Sequence, residues 1–84
     1  MDLRALTPDD AAAAARLAEQ LGYPTPVEEM RQRLHALSAS RTDRVLGAEV
    51  GGRLVGWIHA QARFTLEAGA FAEIAAVVVE ETER

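Results

Sequence analysis

A single glutamate ahead of an apolar, β-branched segment is the first candidate for chemistry in this sequence. Glu73 directly precedes Ile74, and three consecutive valines follow at residues 77–79. A carboxylate partly buried among apolar neighbours is a better proton acceptor near neutral pH, because burial disfavours its charged form. Glu73 is therefore a candidate general base. The alternative is a solvated glutamate at a strand end, or one that pairs with an arginine such as Arg63.

Histidine is the other side chain suited to proton transfer, and the sequence has two. His59 follows Trp57 by two residues, so both side chains lie on one face if this segment is a strand. Trp57 is predicted to lie in the core or in a subunit interface, and His35 to be a partly exposed helix residue. With two histidines and no cysteine, the sequence does not favour a metal site. It also contains no nucleophile elbow, phosphate-binding loop or dinucleotide-binding glycine pattern.

Size and charge exclude further classes of protein. The 84 residues make one small domain or part of one, and the absence of cysteine excludes a disulfide scaffold and thiol chemistry. The net charge is −4 and the sequence has no block of basic residues, which disfavours a nucleic-acid partner. No apolar run approaches the roughly 20 residues that span a bilayer, and the start lacks a signal-peptide pattern. We therefore expect a soluble, cytoplasmic protein without a membrane partner.

The first half of the sequence predicts one strand and two helices. Residues 3–6 alternate between apolar and polar, as in a strand, and residues 7–10 are typical of a helix start that leads to an end near Leu21. A capping box predicts the start of the second helix, with Thr25 as the N-cap and Glu28 three residues later. The residues expected to pack both helices on a sheet are Leu17, Leu21, Val27, Met30, Leu34 and Leu37.

From Arg44 onwards the apolar period changes from 3.6 to two. Residues 45–50 and 53–60 are predicted strands, and the two glycines between them supply the positive φ angles of a tight hairpin turn. Residues 64–70 are predicted to connect to a last strand over residues 71–79. The acidic residues after that strand are predicted to be solvated: Glu80, Glu81 and Glu83. The predicted fold is α+β, with the order β-α-α-β-β-β and a mainly antiparallel four-stranded sheet.

Three local motifs occur in this order of elements: LGYP at residues 21–24, GRLVGWI at 52–58 and FAEI at 71–74. Together they resemble the GNAT superfamily of acetyl-CoA-dependent N-acetyltransferases. They are similar, in turn, to the family's loop between its first helices, its third strand and the approach to its catalytic strand. The resemblance covers the whole chain. It implies a single partial GNAT domain over residues 1–84, ending just before the glycine-rich pyrophosphate loop, with the C-terminal half absent.

The resemblance implies cofactor contacts along the last strand. In the family, the backbone of this strand pairs with the pantetheine arm of acetyl-CoA, which implies that role for Val77, Val78 and Val79. The alternative for these residues is a buried core strand without a ligand. Arg84 aligns with the residue before the first glycine of the pyrophosphate loop, so it too is implied to contact the cofactor.

The resemblance also implies roles in catalysis and substrate binding. Glu73 is implied to be the base that removes a proton from the acceptor amine. Tyr23 lies in the loop that overhangs the acceptor cleft in the family, and His59 is a second candidate for contact with the substrate. The alternatives are that Tyr23 packs at the edge of the core and that His59 lies away from the cleft.

The function implied by the resemblance is acetyl transfer from acetyl-CoA to an amine by direct attack. The acceptor would be the amine of a small molecule or a peptide, and the 84 residues alone are expected to be inactive. One alternative is a truncated GNAT-like interaction module that forms a homodimer through its last strand without catalysis. The other is an unrelated small α+β ligand-binding domain. We expect the exposed edge of the last strand to favour a homodimer in either GNAT-like case.

Overall fold

The computed structural model describes residues 1–83, in which two helices pack against one face of an antiparallel sheet. The elements are β1 (Asp2–Ala5), α1 (Ala11–Gln20), α2 (Val27–Ser38), β2 (Asp43–Val50), β3 (Arg53–Thr65) and β4 (Gly69–Val79), with 3-10 turns at Pro8–Asp10 and Glu81–Glu83. The strands lie in the order β1-β2-β3-β4, and each pairs antiparallel with its neighbour. The predicted fold class and order of elements are confirmed.

The two hairpins of the sheet differ in how well the sequence predicted them. Gly51 and Gly52 form the turn between β2 and β3, with φ values of 58° and 78°, so this prediction is confirmed. The connection predicted over residues 64–70 is wrong, because β3 continues to Thr65 and β4 begins at Gly69. The hydroxyl of Thr65 accepts a hydrogen bond from the Ala68 amide at 3.2 Å, which closes a short turn between the two long strands.

The core lies between the helices and the sheet. Leu17 is fully buried, and Met30, Leu34 and the sheet residue Val78 are each less than 10% exposed, so the predicted packing of both helices is confirmed for these positions. It is wrong for Leu21 and Val27, whose exposed fractions are 44% and 41%. Helical spacing places them on the apolar stripe, but they lie at the ends of the helices beside the connecting loop, where the sheet does not cover them.

The two helices begin in different ways. Thr7 caps the first turn as predicted, although that turn, Pro8–Asp10, is a 3-10 helix that precedes α1. The predicted capping box of α2 is wrong, because Pro26 is the N-cap and no side chain caps this helix. The Thr25 hydroxyl instead donates to the carbonyl oxygen of Tyr23 at 3.2 Å. The proline residue delays the helix by one position and leaves Thr25 to stabilise the loop.

Glu80 is buried directly after β4, so its prediction as a solvated residue is wrong. Only 5% of the residue is exposed. Its carboxylate pairs with Arg53 and accepts a hydrogen bond from Arg16 at 2.7 Å, and these partners lower its pKa. Arg16 also donates to the carbonyl oxygen of Leu54 at 2.9 Å. The end of β4 is therefore tied to both α1 and β3.

The sheet face opposite the helices is apolar and open. Leu3, Ile74 and Val77 have exposed fractions of 69%, 52% and 53%. With Leu46 and Ile58, most of these side chains border a shallow hollow of about 190 Å³. Neither helix in residues 1–83 is long and apolar enough to cross a membrane.

Candidate functional site

A cavity of about 470 Å³ lies between the loop that joins the helices and the middle of β4. We call it the main cavity. The helices and their loop line it with Ala18, Leu21, Tyr23, Thr25, Met30 and Arg33, and the sheet lines it with Trp57 and residues 75–78. Three residues predicted to bind substrate or cofactor, Tyr23, Val77 and Val78, therefore border one space.

The strand β4 carries one extra residue at the wall of the main cavity. Ala75 has no partner on β3, because the pairing passes from Ala60 with Ile74 to His59 with Ala76. A β-bulge of this kind bends the strand and changes the direction in which its groups point. Here the bulge places the backbone of the residues after Ala75 against the main cavity.

The residues predicted to contact the cofactor lie on the edge strand of the sheet. Within residues 1–83, β4 pairs with β3 alone, and Val78 is 2% exposed beneath the helices. Val77 and Val79 point to the opposite face, with exposed fractions of 53% and 37%. The predicted cofactor role rests on main-chain groups and stays a prediction. Arg84, the fourth predicted cofactor residue, lies outside the described residues.

Tyr23 lies at the rim of the main cavity, with 69% of the residue exposed. Its amide donates to the carbonyl oxygen of Ala18 at 3.0 Å, and its own carbonyl accepts the Thr25 hydroxyl. The loop is therefore held at both sides of Tyr23 while the ring stays accessible. Contact between this ring and an acceptor substrate stays a prediction.

Glu73 lies two residues before the bulge and pairs with an arginine. The carboxylate accepts a hydrogen bond from Arg63 at 3.4 Å, and the two side chains are 47% and 48% exposed. This is the ion pair named above as the alternative to a catalytic role. Register pairs Glu73 with Gln61, which places it on the helix side of the sheet beyond the lining of the main cavity. The role of Glu73 as a base stays a prediction.

A second, smaller cavity of about 150 Å³ adjoins the main cavity under α2. We call it the side cavity. Met30, Arg33 and Trp57 line both cavities. The indole N–H of Trp57 donates to the carbonyl oxygen of Ala14 at 3.3 Å, which holds the ring between them. Trp57 is therefore a partly buried wall of the site.

His59 lines the side cavity and forms a hydrogen-bonded contact with Asp43 that the sequence analysis did not anticipate. Its Nε2 lies 2.7 Å from Oδ1 of Asp43, and the two side chains are 20% and 14% exposed. The same Asp43 carboxylate accepts hydrogen bonds from Ser40 at 2.6 Å, Gln61 at 3.1 Å and Thr42 at 3.2 Å. These bonds, led by the one from Ser40, hold the pKa of Asp43 well below its usual range. Asp43 is therefore ionised at neutral pH.

The hairpin signal in the sequence does not predict the contact between Asp43 and His59. With the two-glycine turn alone, Arg44 would stand opposite His59 and Asp43 would point to the other face. The structure has a bulge at Val55, so the register passes from Glu49 with Leu54 to Val45 with His59. Asp43 then lies on the same face as His59. The bulge therefore decides whether Asp43 and His59 meet, and no pattern of apolar residues in the sequence indicates the bulge.

The arrangement combines an apolar space, an edge strand and two separate ionisable side chains, Glu73 and His59. Glu73 and His59 lie on the same side of the sheet, at the outer end and at the inner wall of the site. Within residues 1–83, no group of three histidine or acidic side chains lies close enough together to hold a metal ion.

No family model and no curated protein matches the sequence. Solved structures match its fold over almost the whole chain. A GNAT family acetyltransferase from Staphylococcus aureus is similar with a TM-score of 0.89 and 20% identity, covering 99% of this chain and 64% of its own. The aminoglycoside 6'-N-acetyltransferase AAC(6')-IG from Acinetobacter haemolyticus is similar with a TM-score of 0.81 and 17% identity. The similarity covers 100% of this chain and 60% of that protein's chain.

A third similar structure is the ribosomal-protein-alanine N-acetyltransferase from Brucella melitensis, with a TM-score of 0.74 and 24% identity, covering 99% of this chain and 58% of its own. The chain thus spans less than two thirds of the length of each of these three proteins. All three are acetyltransferases, and the similarity to each covers 99–100% of this chain. The chain therefore has the α+β fold of the N-terminal part of GNAT-family acetyltransferases.

Proposed function

We propose that this chain is the part of an N-acetyltransferase that holds the acceptor amine and the pantetheine arm of acetyl-CoA. The observation that carries the proposal is the bulge of β4 at Ala75, next to a cavity whose far rim is Tyr23. An edge strand beside a cavity offers backbone groups on one side and space for a second reactant on the other. Structural similarity to acetyltransferases supports this assignment.

The residues of β4 fit the pantetheine arm of the cofactor. That arm carries amide groups, and the outer edge of a strand binds such groups through the main chain, whatever the side chains. Val77, Val78 and Val79 are the residues proposed to bind it, and Arg84 is proposed to approach the pyrophosphate. When bound, acetyl-CoA supplies an acetyl group activated as a thioester. Main-chain N–H groups of β4 would polarise its carbonyl.

Glu73 is proposed to prepare the acceptor. An amine enters as an ammonium ion and must lose a proton before its nitrogen can attack. The half-exposed carboxylate of Glu73 takes that proton, directly or through water, and passes it to solvent.

The acceptor is proposed to be the amine of a small molecule or a peptide, in the cytoplasm. One similar structure is named for acetylation of an aminoglycoside and another for a ribosomal protein's alanine, so both kinds of acceptor occur among proteins of this fold. In this chain Tyr23 and His59 are the residues proposed to contact the acceptor, from the rim and from the inner wall.

Titration of acetyl-CoA into the 84-residue chain tests the proposal. We expect heat of binding in calorimetry, and shifts of backbone amide signals at residues 75–79 in NMR spectra. The amides of β1, three strands away, serve as the internal control and should not move. Absence of binding at millimolar acetyl-CoA, or shifts that spare β4, would refute the proposed function.

A non-catalytic interaction module is the second candidate. The open apolar sheet face, with Leu3, Ile74 and Val77 all more than half exposed, supports it. A patch of this kind on a small domain commonly marks an interface. In this case the chain forms a homodimer and binds no acetyl-CoA.

A further inference from the structure

The Asp43–His59 pair has the geometry of an oriented proton acceptor. Asp43 is ionised, and a carboxylate accepts hydrogen bonds but donates none. The 2.7 Å contact therefore requires a proton on Nε2 of His59. In the neutral ring the lone pair must then lie on Nδ1. An aspartate fixes the imidazole of a serine protease by the same logic, though through the other ring nitrogen.

The second nitrogen of His59 is accessible. Within residues 1–83, Nδ1 of His59 has no hydrogen-bond partner. Every fully buried side-chain nitrogen or oxygen in these residues does have one. Nδ1 is therefore not fully buried. The ring lines the side cavity, which shares Met30, Arg33 and Trp57 with the main cavity.

Charged and apolar residues both surround the ring of His59. From β2, Asp43 faces Nε2, and from α2, Arg33 lines the same cavity. The other elements packed here present the apolar residues Leu6 and Ala14, and β4 presents Ala76. The guanidinium of Arg33 is itself paired with Glu29 at 2.7 Å, so Asp43 is the charged group in direct contact with the ring.

We propose that His59 accepts a proton from the bound amine substrate and that Asp43 is its positioning residue. This inference rests on the proposed function and adds a step to it. When the amine nitrogen bonds to the acetyl carbon, the carbon–sulfur bond breaks and the thiolate leaves with the electron pair. The nitrogen then still carries one proton too many. That proton passes to Nδ1 of His59, whereas Glu73 takes the earlier proton of the ammonium ion.

NMR spectroscopy of the 84-residue chain tests the orientation without acetyl-CoA. The chain has two histidines, so His35→Gln leaves only the His59 signals and assigns them. Long-range proton–nitrogen correlations at pH 8.5 distinguish the two tautomers. We expect a neutral ring with its proton on Nε2. A proton on Nδ1, or an imidazolium at this pH, would overturn the inference.

The Asp43→Asn variant supplies a second test of the orientation. Ser40 and Thr42 donate to one side of residue 43, so the amide oxygen of asparagine should take that side and its NH₂ group should face His59. The ring must then accept through Nε2, and its proton moves to Nδ1. A tautomer unchanged from that of the unsubstituted chain would show that Asp43 does not orient the ring. If the variant fails to fold, the measurement on the unsubstituted chain decides.

Acetyl transfer by the enzyme of which this chain is proposed to be a part supplies the kinetic test. Release of CoA thiol is followed with a thiol reagent, to which these 84 residues, which include no cysteine, contribute no background. We expect His59→Gln to lower turnover by roughly 100-fold or more, as for loss of a general base, with little change in KM. His35→Gln, a substitution on an exposed helix face, is the matched control. Turnover of His59→Gln within threefold of the control refutes the proton step. No turnover by any chain refutes the proposed function, and the tautomer then decides for His59.

Discussion

Gly56 is the point at which β3 approaches the main chain of the strand proposed to bind the cofactor. A Cβ atom at this position would lie 2.9 Å from the carbonyl oxygen of Val78 and 3.6 Å from Cα of Val79. Carbon–oxygen contacts ordinarily begin at about 3.3 Å, so the two strands would have to separate by about 0.4 Å. The crowded atoms belong to the backbone and cannot rotate away. Gly56→Ala should therefore displace β4 itself.

The expected cost of this substitution is that of an overpacked core, about 1–3 kcal/mol. For a domain of this size each kcal/mol lowers the melting temperature by roughly 4–8 °C. Urea and thermal unfolding, followed by circular dichroism and by the fluorescence of Trp57, measure the loss. Amide signals of residues 75–79 should shift in NMR spectra, and the affinity for acetyl-CoA should fall with them.

Gly22→Ala is the matched control for Gly56→Ala. Gly22 has a φ of 94°, and a Cβ there would have no heavy atom within 4 Å. This substitution costs about 1–2 kcal/mol through backbone strain alone. It should therefore lower stability without moving β4. The reasoning fails if Gly56→Ala is as stable as the parent chain, or if it perturbs β4 no more than Gly22→Ala does.

Three further predictions concern charge and association. In acetyl-transfer assays of the enzyme of which this chain is proposed to be a part, Glu73→Gln should lower turnover more at low pH than at high pH, because the amine deprotonates unaided at high pH. An equal loss at every pH would indicate a structural role. Asp43, whose folded-state pKa lies below its usual 3.8, stabilises the fold above about pH 4 and loses that contribution as the pH falls further. The difference in urea midpoint between Asp43→Asn and the parent chain should therefore shrink from pH 7 to pH 2.5, and a constant difference would contradict this linkage. Light scattering at micromolar concentration should give a dimer that Ile74→Lys dissociates and the fully exposed control Leu66→Lys does not; a monomeric parent chain would exclude the predicted homodimer.

The order of elements was predictable from the sequence because each signal is local. Helical and strand periods differ, and the change near Arg44 separates the helices from the sheet. Two adjacent glycines fix the hairpin because other residues avoid positive φ angles. The same local information placed Met30 and Leu34 in the core, but it could not tell that Leu21 and Val27 lie at helix ends outside the cover of the sheet.

The geometry of the candidate site was decided by the tertiary structure. One extra residue in β3 and one in β4 change the register of the strands, and a shift of one residue moves a side chain to the other face. The bulge at Val55 brings Asp43 to His59, and the bulge at Ala75 buries Val78 while Val77 faces outward. Glu80 is buried because two arginines from distant positions converge on it. Periodicity records none of these contacts, since each depends on residues that are far apart in the sequence and meet only in the folded chain.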